Sequence, residues 1–134
     1  VQTIHGDKDM KIIFLDVDGV LNQLQRYHVD ENCVRELAKI YSTDTRIVLI
    51  SSWRLGFSRN INQCSPQVKN LITCLNKYNM NIMYCTEKLG DRRKEVLNWL
   101  QGKNVESYIV LDDDKSEYSS LEELNIYITN SKLV

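Results

Sequence analysis

Lys11-Ile12-Ile13-Phe14-Leu15-Asp16-Val17-Asp18-Gly19-Val20-Leu21-Asn22 is the stretch on which the reading of this chain turns. An apolar run of strand type, Ile12 to Leu15, ends abruptly in two aspartates one residue apart, followed by Gly19. Buried strands do not end in paired acids for stability, because like charges at close range repel and lose hydration. The pair makes sense where a cation holds it, and a hard all-oxygen site suits Mg²⁺. An isolated Asp-x-Asp recurs by chance in many sequences. The specific signal is the whole frame of strand, Asp-Val-Asp-Gly-Val and turn.

Outward from this stretch, short apolar runs alternate with amphipathic ones, without repeats, low-complexity segments or linkers. The spacing predicts strands over 12–15, 47–50, 82–84, 108–111 and, more weakly, 126–128. Their continuous apolarity suits strands covered on both faces. Val34, Leu37, Ala38 and Tyr41 mark one helix face, with Asp30 as its start. Val68, Leu71, Ile72 and Leu75 mark a second, opened by Ser65 as cap and Pro66 in the first turn. Val96, Trp99 and Leu100 mark a third, with Asp91 as cap and Gly102 just beyond. Such alternation predicts an α/β fold, a parallel sheet sandwiched by helices. Right-handed β-α-β units bring all strand C-termini to one edge, where ligands bind. Asp16, Ser51, Asp112 and Asp113 all fall at that edge.

Three motifs in order resemble those of the haloacid dehalogenase-like (HAD) superfamily of aspartate-nucleophile phosphohydrolases. The first is the Asp16-Val17-Asp18-Gly19-Val20 frame. The second is Arg46-Ile47-Val48-Leu49-Ile50-Ser51-Ser52, a buried strand ending in a hydroxyl. Another, Ser107 to Leu111 followed by Asp112-Asp113-Asp114, resembles the fourth. Ser51-Ser52-Trp53-Arg54 with the later Leu111-Asp112-Asp113-Asp114 is similar to a small capless group that includes domains attached to RNA-repair proteins. The resemblance covers roughly residues 10 to 130. It implies a Rossmann-like three-layer sandwich with a five-stranded parallel sheet in the order 5-4-1-2-3, which periodicity alone does not fix.

The resemblance also implies roles. Asp16 attacks phosphorus and forms an aspartyl-phosphate, with Mg²⁺ bridging it to a phosphate oxygen. Asp18 protonates the departing oxygen and then activates water, while its backbone carbonyl serves the metal. Ser51 gives its hydroxyl to a phosphate oxygen, with Ser52 the adjacent alternative and a turn or N-cap role the plain reading of such a serine. The phosphate-holding cation comes from Asp91-Arg92-Arg93-Lys94-Glu95-Val96. Arg92 opens that helix, four positions before Val96, and Lys94 is the runner-up. Asp113 binds Mg²⁺ directly, and Asp112 orients a metal-bound water or pairs with the cation. A third acid, Asp114, leaves that register open by one residue. Arg54 either contacts substrate or is a surface arginine beside a structural tryptophan. Gly19 completes the substrate-facing set.

At 134 residues the chain has room for one core, not two. A formal net charge of -1 gives no general attraction to nucleic acid or to an anionic membrane. Cys33, Cys64, Cys74 and Cys85 form no Cys-x-x-Cys pair and lack a histidine cluster, which reads as reduced thiols in a cytoplasmic protein. No apolar run reaches the roughly 18 residues of a membrane span. Val1 to Asp9 has no signal-peptide core, and Met10 stands just before the first strand. Residues 10–134 are therefore expected to form one domain, with 1–9 an upstream extension or a cloning remnant.

Superfamily members acting on small metabolites usually close the site with an inserted cap. Neither insertion point here, before the helix near Asp30 or over Thr86 to Gly90, can hold a domain. An open site favours phosphate on a macromolecule, a nucleic-acid end or a phosphoprotein, and the subgroup resemblance tips this toward nucleic acid. No interleaved basic and aromatic run adds independent support. Two other classes compete: a Mg²⁺-binding phosphoacceptor signalling domain and a catalytically silent interaction domain on the same scaffold. The first normally carries its acceptor after a middle strand, and the second rarely needs every catalytic position filled.

Overall fold

A computed structural model of the chain describes residues 10–22 and 28–129. Five strands, β1 (Met10–Leu15), β2 (Thr45–Leu49), β3 (Ile82–Cys85), β4 (Val105–Asp112) and β5 (Ile126–Ile128), form one sheet in the order β3-β2-β1-β4-β5. Every pairing is parallel. This is the order 5-4-1-2-3 read from the other side, and the chain has the expected Rossmann-like α/β architecture. Residues 1–9, expected to be an extension or remnant, lie outside the described residues.

Alternation along the strands divides the core into two layers. Ile13, Leu15, Ile47, Leu49 and Leu111 pack with α1 (Glu31–Ala38) and α2 (Pro66–Asn76) on one face. Ile12, Phe14, Val48, Ile50 and Val110 pack with α3 (Arg92–Leu100) on the other. Phe14 is wholly buried at the centre of this second layer, edge-on to Trp99 at 5.6 Å and to Tyr108 at 5.8 Å. Truncating such a side chain to alanine costs roughly 3–5 kcal/mol.

The helices begin where their caps dictate. Asp30 accepts from the Asn32 N–H, Ser65 from the Val68 N–H with Pro66 next in line, and Asp91 from the Arg93 N–H. Each side-chain oxygen satisfies a donor that the first helical turn leaves free. Apolar residues then recur on one face, with Val34 and Leu37 of α1, Val68, Leu71 and Leu75 of α2, and Val96 and Trp99 of α3 all buried.

Several boundaries differ from expectation: β1 and β2 each start two residues earlier, at Met10 and Thr45, and β2 ends at Leu49 rather than Ile50. β4 starts at Val105 rather than Tyr108, because Met10 and Lys11 of β1 continue its pairing beside Val105 and Ser107. That half carries Glu106 and Ser107, both exposed, so no apolar pattern marks it. α1 ends at Ala38, and Tyr41 packs against the core from beyond the helix. The β2–α2 connection carries two 3-10 turns, Ser52–Gly56 and Ile61–Gln63.

Candidate active site

The strand register sets the site. Leu15 stands level with Leu49 of β2 and with Leu111 of β4, so the residues that follow these three reach the same edge of the sheet. The Asp16 N–H donates to the Leu111 carbonyl and the Ile50 N–H to that of Leu15, each at 2.9 Å, which fixes the level of the next side chains. Asp16, Ser51, Asp112 and Asp113 are thus placed at a common edge by backbone pairing rather than by side-chain attraction.

Asp16, Asp112 and Asp113 each offer a carboxylate oxygen, and these oxygens lie within 4.8 Å of one another. Asp112 is fully buried and saturated. One of its oxygens accepts from the N–H groups of Asp113 and Asp114 at 2.8 and 3.1 Å. The other accepts from Arg92 Nη1 at 2.6 Å and from the Tyr118 hydroxyl at 2.7 Å. Asp16 faces Arg92 Nη1 at 3.4 Å and lies in one cluster with the Asp113 carboxyl. Burial, then the negative charge of Asp112, pushes its carboxyl up to about 9. Burial also raises the Asp113 carboxyl, with Asp112 adding to the shift. Burial first, then Asp112, raises the Tyr118 phenol; burial works against the charge of Arg92, but Asp112 and Asp16 outweigh it and the guanidinium is raised.

Asp16 and Asp112 face one guanidinium with Asp113 beside them, which leaves an excess of negative charge at the edge of the sheet. A hard divalent cation relieves it, so the all-oxygen donor set fits Mg²⁺. The backbone is shaped to the same end. Gly19 has φ +79°, and a Cβ there would stand 2.2 Å from Asp113 Oδ2, so only glycine lets the loop after β1 lie against that carboxylate.

Asp18 is half-buried, and its carboxylate does not join the cluster. Trp53 Nε1 donates to Asp18 Oδ2 at 3.1 Å and Asn22 Nδ2 to Oδ1 at 3.4 Å. Ser51 is fully buried, and its Oγ caps the 3-10 turn by accepting from the Trp53 N–H at 3.1 Å. That bond occupies a lone pair and leaves the hydroxyl proton available as a donor. Ser52 is exposed and lines the cleft that borders Arg92.

Of the three cations in the first turn of α3, Arg92 meets the acids, while Arg93 donates to the Ser120 and Glu122 carbonyls. Lys94 is exposed and lines a different hollow with Leu89 and Leu97. Arg54 corrects the surface reading. Its side chain is only 9% exposed and pairs with Glu95, itself 2% exposed, at 3.0 Å. Arg54 Nη1 also donates to the Ile50 carbonyl at 2.7 Å and to Thr86 Oγ1 at 3.0 Å. Glu95 lies one turn after Arg92 on α3 and accepts from the Leu89 N–H at 2.9 Å. The pair therefore ties the segment after β2 to the helix that carries Arg92.

Glu95, Tyr118 and Thr129 are structural partners that sequence reasoning missed. Thr129 Oγ1 donates to the Gly19 carbonyl at 2.6 Å and its N–H to the Asp112 carbonyl at 2.8 Å, bridging the two acid-bearing segments. Each is a single residue without local pattern, and only Glu95, an acid between Lys94 and Val96 on the core side of a helix, carried a faint signal.

No helix among the described residues is long and apolar enough to cross a membrane. All four cysteines are free. Comparison with curated proteins and with solved structures returns no match. A family model described as the HAD domain in Swiss Army Knife RNA repair proteins matches residues 12–132, which takes in all three acid- and hydroxyl-bearing strand ends. The chain belongs to that family of HAD domains.

Proposed function

We propose that this chain is a Mg²⁺-dependent phosphohydrolase, with residues 10–134 as one capless catalytic unit acting on a phosphate at a nucleic-acid end. The observation that carries this reading is the cluster of Asp16, Asp112 and Asp113 beside Arg92 at the C-terminal edge of the sheet. Asp16, Asp113 and the Asp18 carbonyl would hold Mg²⁺, which when bound neutralises the phosphate oxygens so that two anions can approach. Asp112, already tied to Arg92 and Tyr118, orients that cation.

In this reading an Asp16 oxygen attacks phosphorus, and the bond from phosphorus to the leaving oxygen breaks. Asp18 gives its proton to the leaving oxygen. As a carboxylate it then takes a proton from the water that attacks the aspartyl-phosphate, which frees phosphate and restores Asp16. Trp53 and Asn22 hold the Asp18 carboxylate for this task. Ser51, Ser52, Arg92 and the Gly19 backbone border the phosphate, and Arg54 and Lys94 take no direct part.

Only residues 16–30 separate β1 from α1 and only 86–91 separate β3 from α3, neither long enough for a cap domain. The open site and the family's RNA-repair setting support a nucleic-acid end over a small metabolite. Hydrolysis of a generic aryl phosphate, with and without Mg²⁺, tests the reaction. Turnover that needs Mg²⁺ supports it, and no turnover at any divalent ion concentration overturns it.

A further inference from the structure

Two adjacent residues that no motif marks, Tyr118 and Ser119, meet the first turn of α3 by sharing carboxylate oxygens with it. They follow the 3-10 turn Lys115–Glu117, just after β4. Asp112 Oδ2 accepts from Arg92 Nη1 at 2.6 Å and from the Tyr118 hydroxyl at 2.7 Å. Asp91 Oδ1 accepts from the Arg93 N–H and from the Ser119 N–H, each at 3.0 Å. Arg93 Nη1 in turn donates to the Ser120 and Glu122 carbonyls. Segment 118–122 therefore holds the helix start at Asp91 and Arg93, on either side of Arg92 in sequence, and reaches Arg92 itself through Asp112. The segment is anchored in the core. Tyr118, only 6% exposed, lies in the layer of Phe14, Val96 and Trp99, and Leu121 packs against the same layer.

An ionised carboxylate has about four acceptor positions, and Asp112 fills them inside the protein. The Asp113 and Asp114 N–H groups take one oxygen, and Arg92 and Tyr118 take the other. Without the phenol, one acceptor position on a buried carboxylate stands open, and water or a cation then competes for the oxygen that holds Arg92. The place of Arg92 matters to the reaction. Its Nη1 lies 3.4 Å from Asp16 Oδ1, while Nη2 stands 4.0 Å from Glu117 Oε2, beyond hydrogen-bond reach, and so keeps donors for a phosphate oxygen. Misplacing such a group by about 1 Å costs on the order of 100-fold in rate.

We propose that Tyr118 is a positioning residue for phosphoryl transfer, holding Asp112 so that Arg92 stays beside Asp16. The proposal rests on the phosphohydrolase reading and adds to it a residue outside the acid- and hydroxyl-bearing strand ends.

The test is Tyr118→Phe, which removes the hydroxyl and keeps the buried ring. On an aryl phosphate with saturating Mg²⁺ it should lower kcat/KM about 10-fold or more, the worth of one hydrogen bond to a charged group. In an Arg92→Ala background the same change should cost less than about 2-fold, because its route through Arg92 is gone. A hydroxyl that only stabilised the fold would cost the same factor in both backgrounds, and that result overturns the proposal. Calorimetry should find Mg²⁺ bound no more weakly by Tyr118→Phe than by the wild type, since the proposed ligands are Asp16, Asp113 and the Asp18 carbonyl. Weaker binding would place the role of Tyr118 at the metal and overturn the proposal too. A last readout needs no turnover. In proton–nitrogen correlation spectra of the metal-free protein, with the Arg92 signals assigned through Arg92→Lys, slow rotation of a held guanidinium should separate its Nη protons, and Tyr118→Phe should merge them. Signals already merged in the wild type, or still separate in Tyr118→Phe, overturn the positioning role. If the wild type hydrolyses nothing, the phosphohydrolase reading fails, while the Arg92 signals still decide whether Tyr118 holds that cation in place.

Discussion

Replacing Arg54 with alanine should destabilise the protein far beyond the loss of an ordinary arginine. The guanidinium reaches both Glu95 oxygens, at 3.0 and 3.2 Å, and the Ile50 carbonyl and Thr86 hydroxyl besides. With Arg54 gone, a Glu95 side chain only 2% exposed keeps a single donor, the Leu89 N–H. Leaving a buried charge without its partner costs about 3–5 kcal/mol. With a urea m-value of about 2 kcal/mol per molar, that loss lowers the unfolding midpoint by roughly 1.5–2.5 M. The physical cause is the stranded charge and not lost packing, so Arg54→Met combined with Glu95→Leu should regain at least half of the deficit. Urea unfolding followed by circular dichroism reads all three variants. A loss below about 1 kcal/mol for Arg54→Ala, or a double variant no better than the single one, would refute the buried-pair reasoning.

Other outcomes follow from the acids themselves. Asp18→Asn should bind Mg²⁺ as the wild type does but turn over roughly 100-fold or more slowly, since the proposed mechanism gives its carbonyl to the metal and its carboxyl to the chemistry; calorimetric loss of Mg²⁺ binding contradicts that division. Because Asp16 is raised from 3.8 to about 9, the metal-free folded protein holds a proton there that the unfolded chain has lost between those values. Its contribution to stability is therefore fully present below pH 3.8 and is lost as pH rises through about 9. Mg²⁺ binding at neutral pH should accordingly release about one proton and tighten with pH, and calorimetry in buffers of different ionisation enthalpy measures the release, zero being the contrary result. Gly19→Ala would press a Cβ onto Asp113 Oδ2 at a positive φ, and should weaken Mg²⁺ binding at least 10-fold; an unchanged Kd would show that Asp113 is not held where the metal needs it.

Much of the architecture was legible because its signals are local. Ile12 to Leu15 and Ile47 to Ile50 are apolar without alternation, as strands covered on both faces require, and Asp30, Ser65 and Asp91 each cap the helix they introduce. The start of β4 was not legible, since Glu106 and Ser107 owe their extended form to pairing with β1 rather than to burial. The Asp16, Asp112 and Asp113 cluster could be placed at one edge from strand ends alone. Its wiring could not: Thr129 reaches Gly19 across most of the chain, and Trp53 reaches Asp18 from another strand end. Arg54 shows the limit most clearly. A motif position next to Ser51-Ser52-Trp53 suggested a substrate contact or a surface residue, and only the fold reveals Glu95 as its buried partner.

The central claim is that Asp16 attacks phosphorus. In the proposed mechanism Asp18→Asn removes the base of the second step, and an aryl leaving group departs without the acid of the first, so incubating that variant with a radiolabelled aryl phosphate and Mg²⁺, quenching in acid and mapping the peptides should place the label on the peptide that contains Asp16. The label should be absent without Mg²⁺ and absent when Asp16→Asn is added, and Asp16→Asn alone should lose turnover while keeping its fold. Near wild-type hydrolysis by Asp16→Asn, or label on any other residue, would contradict the assignment.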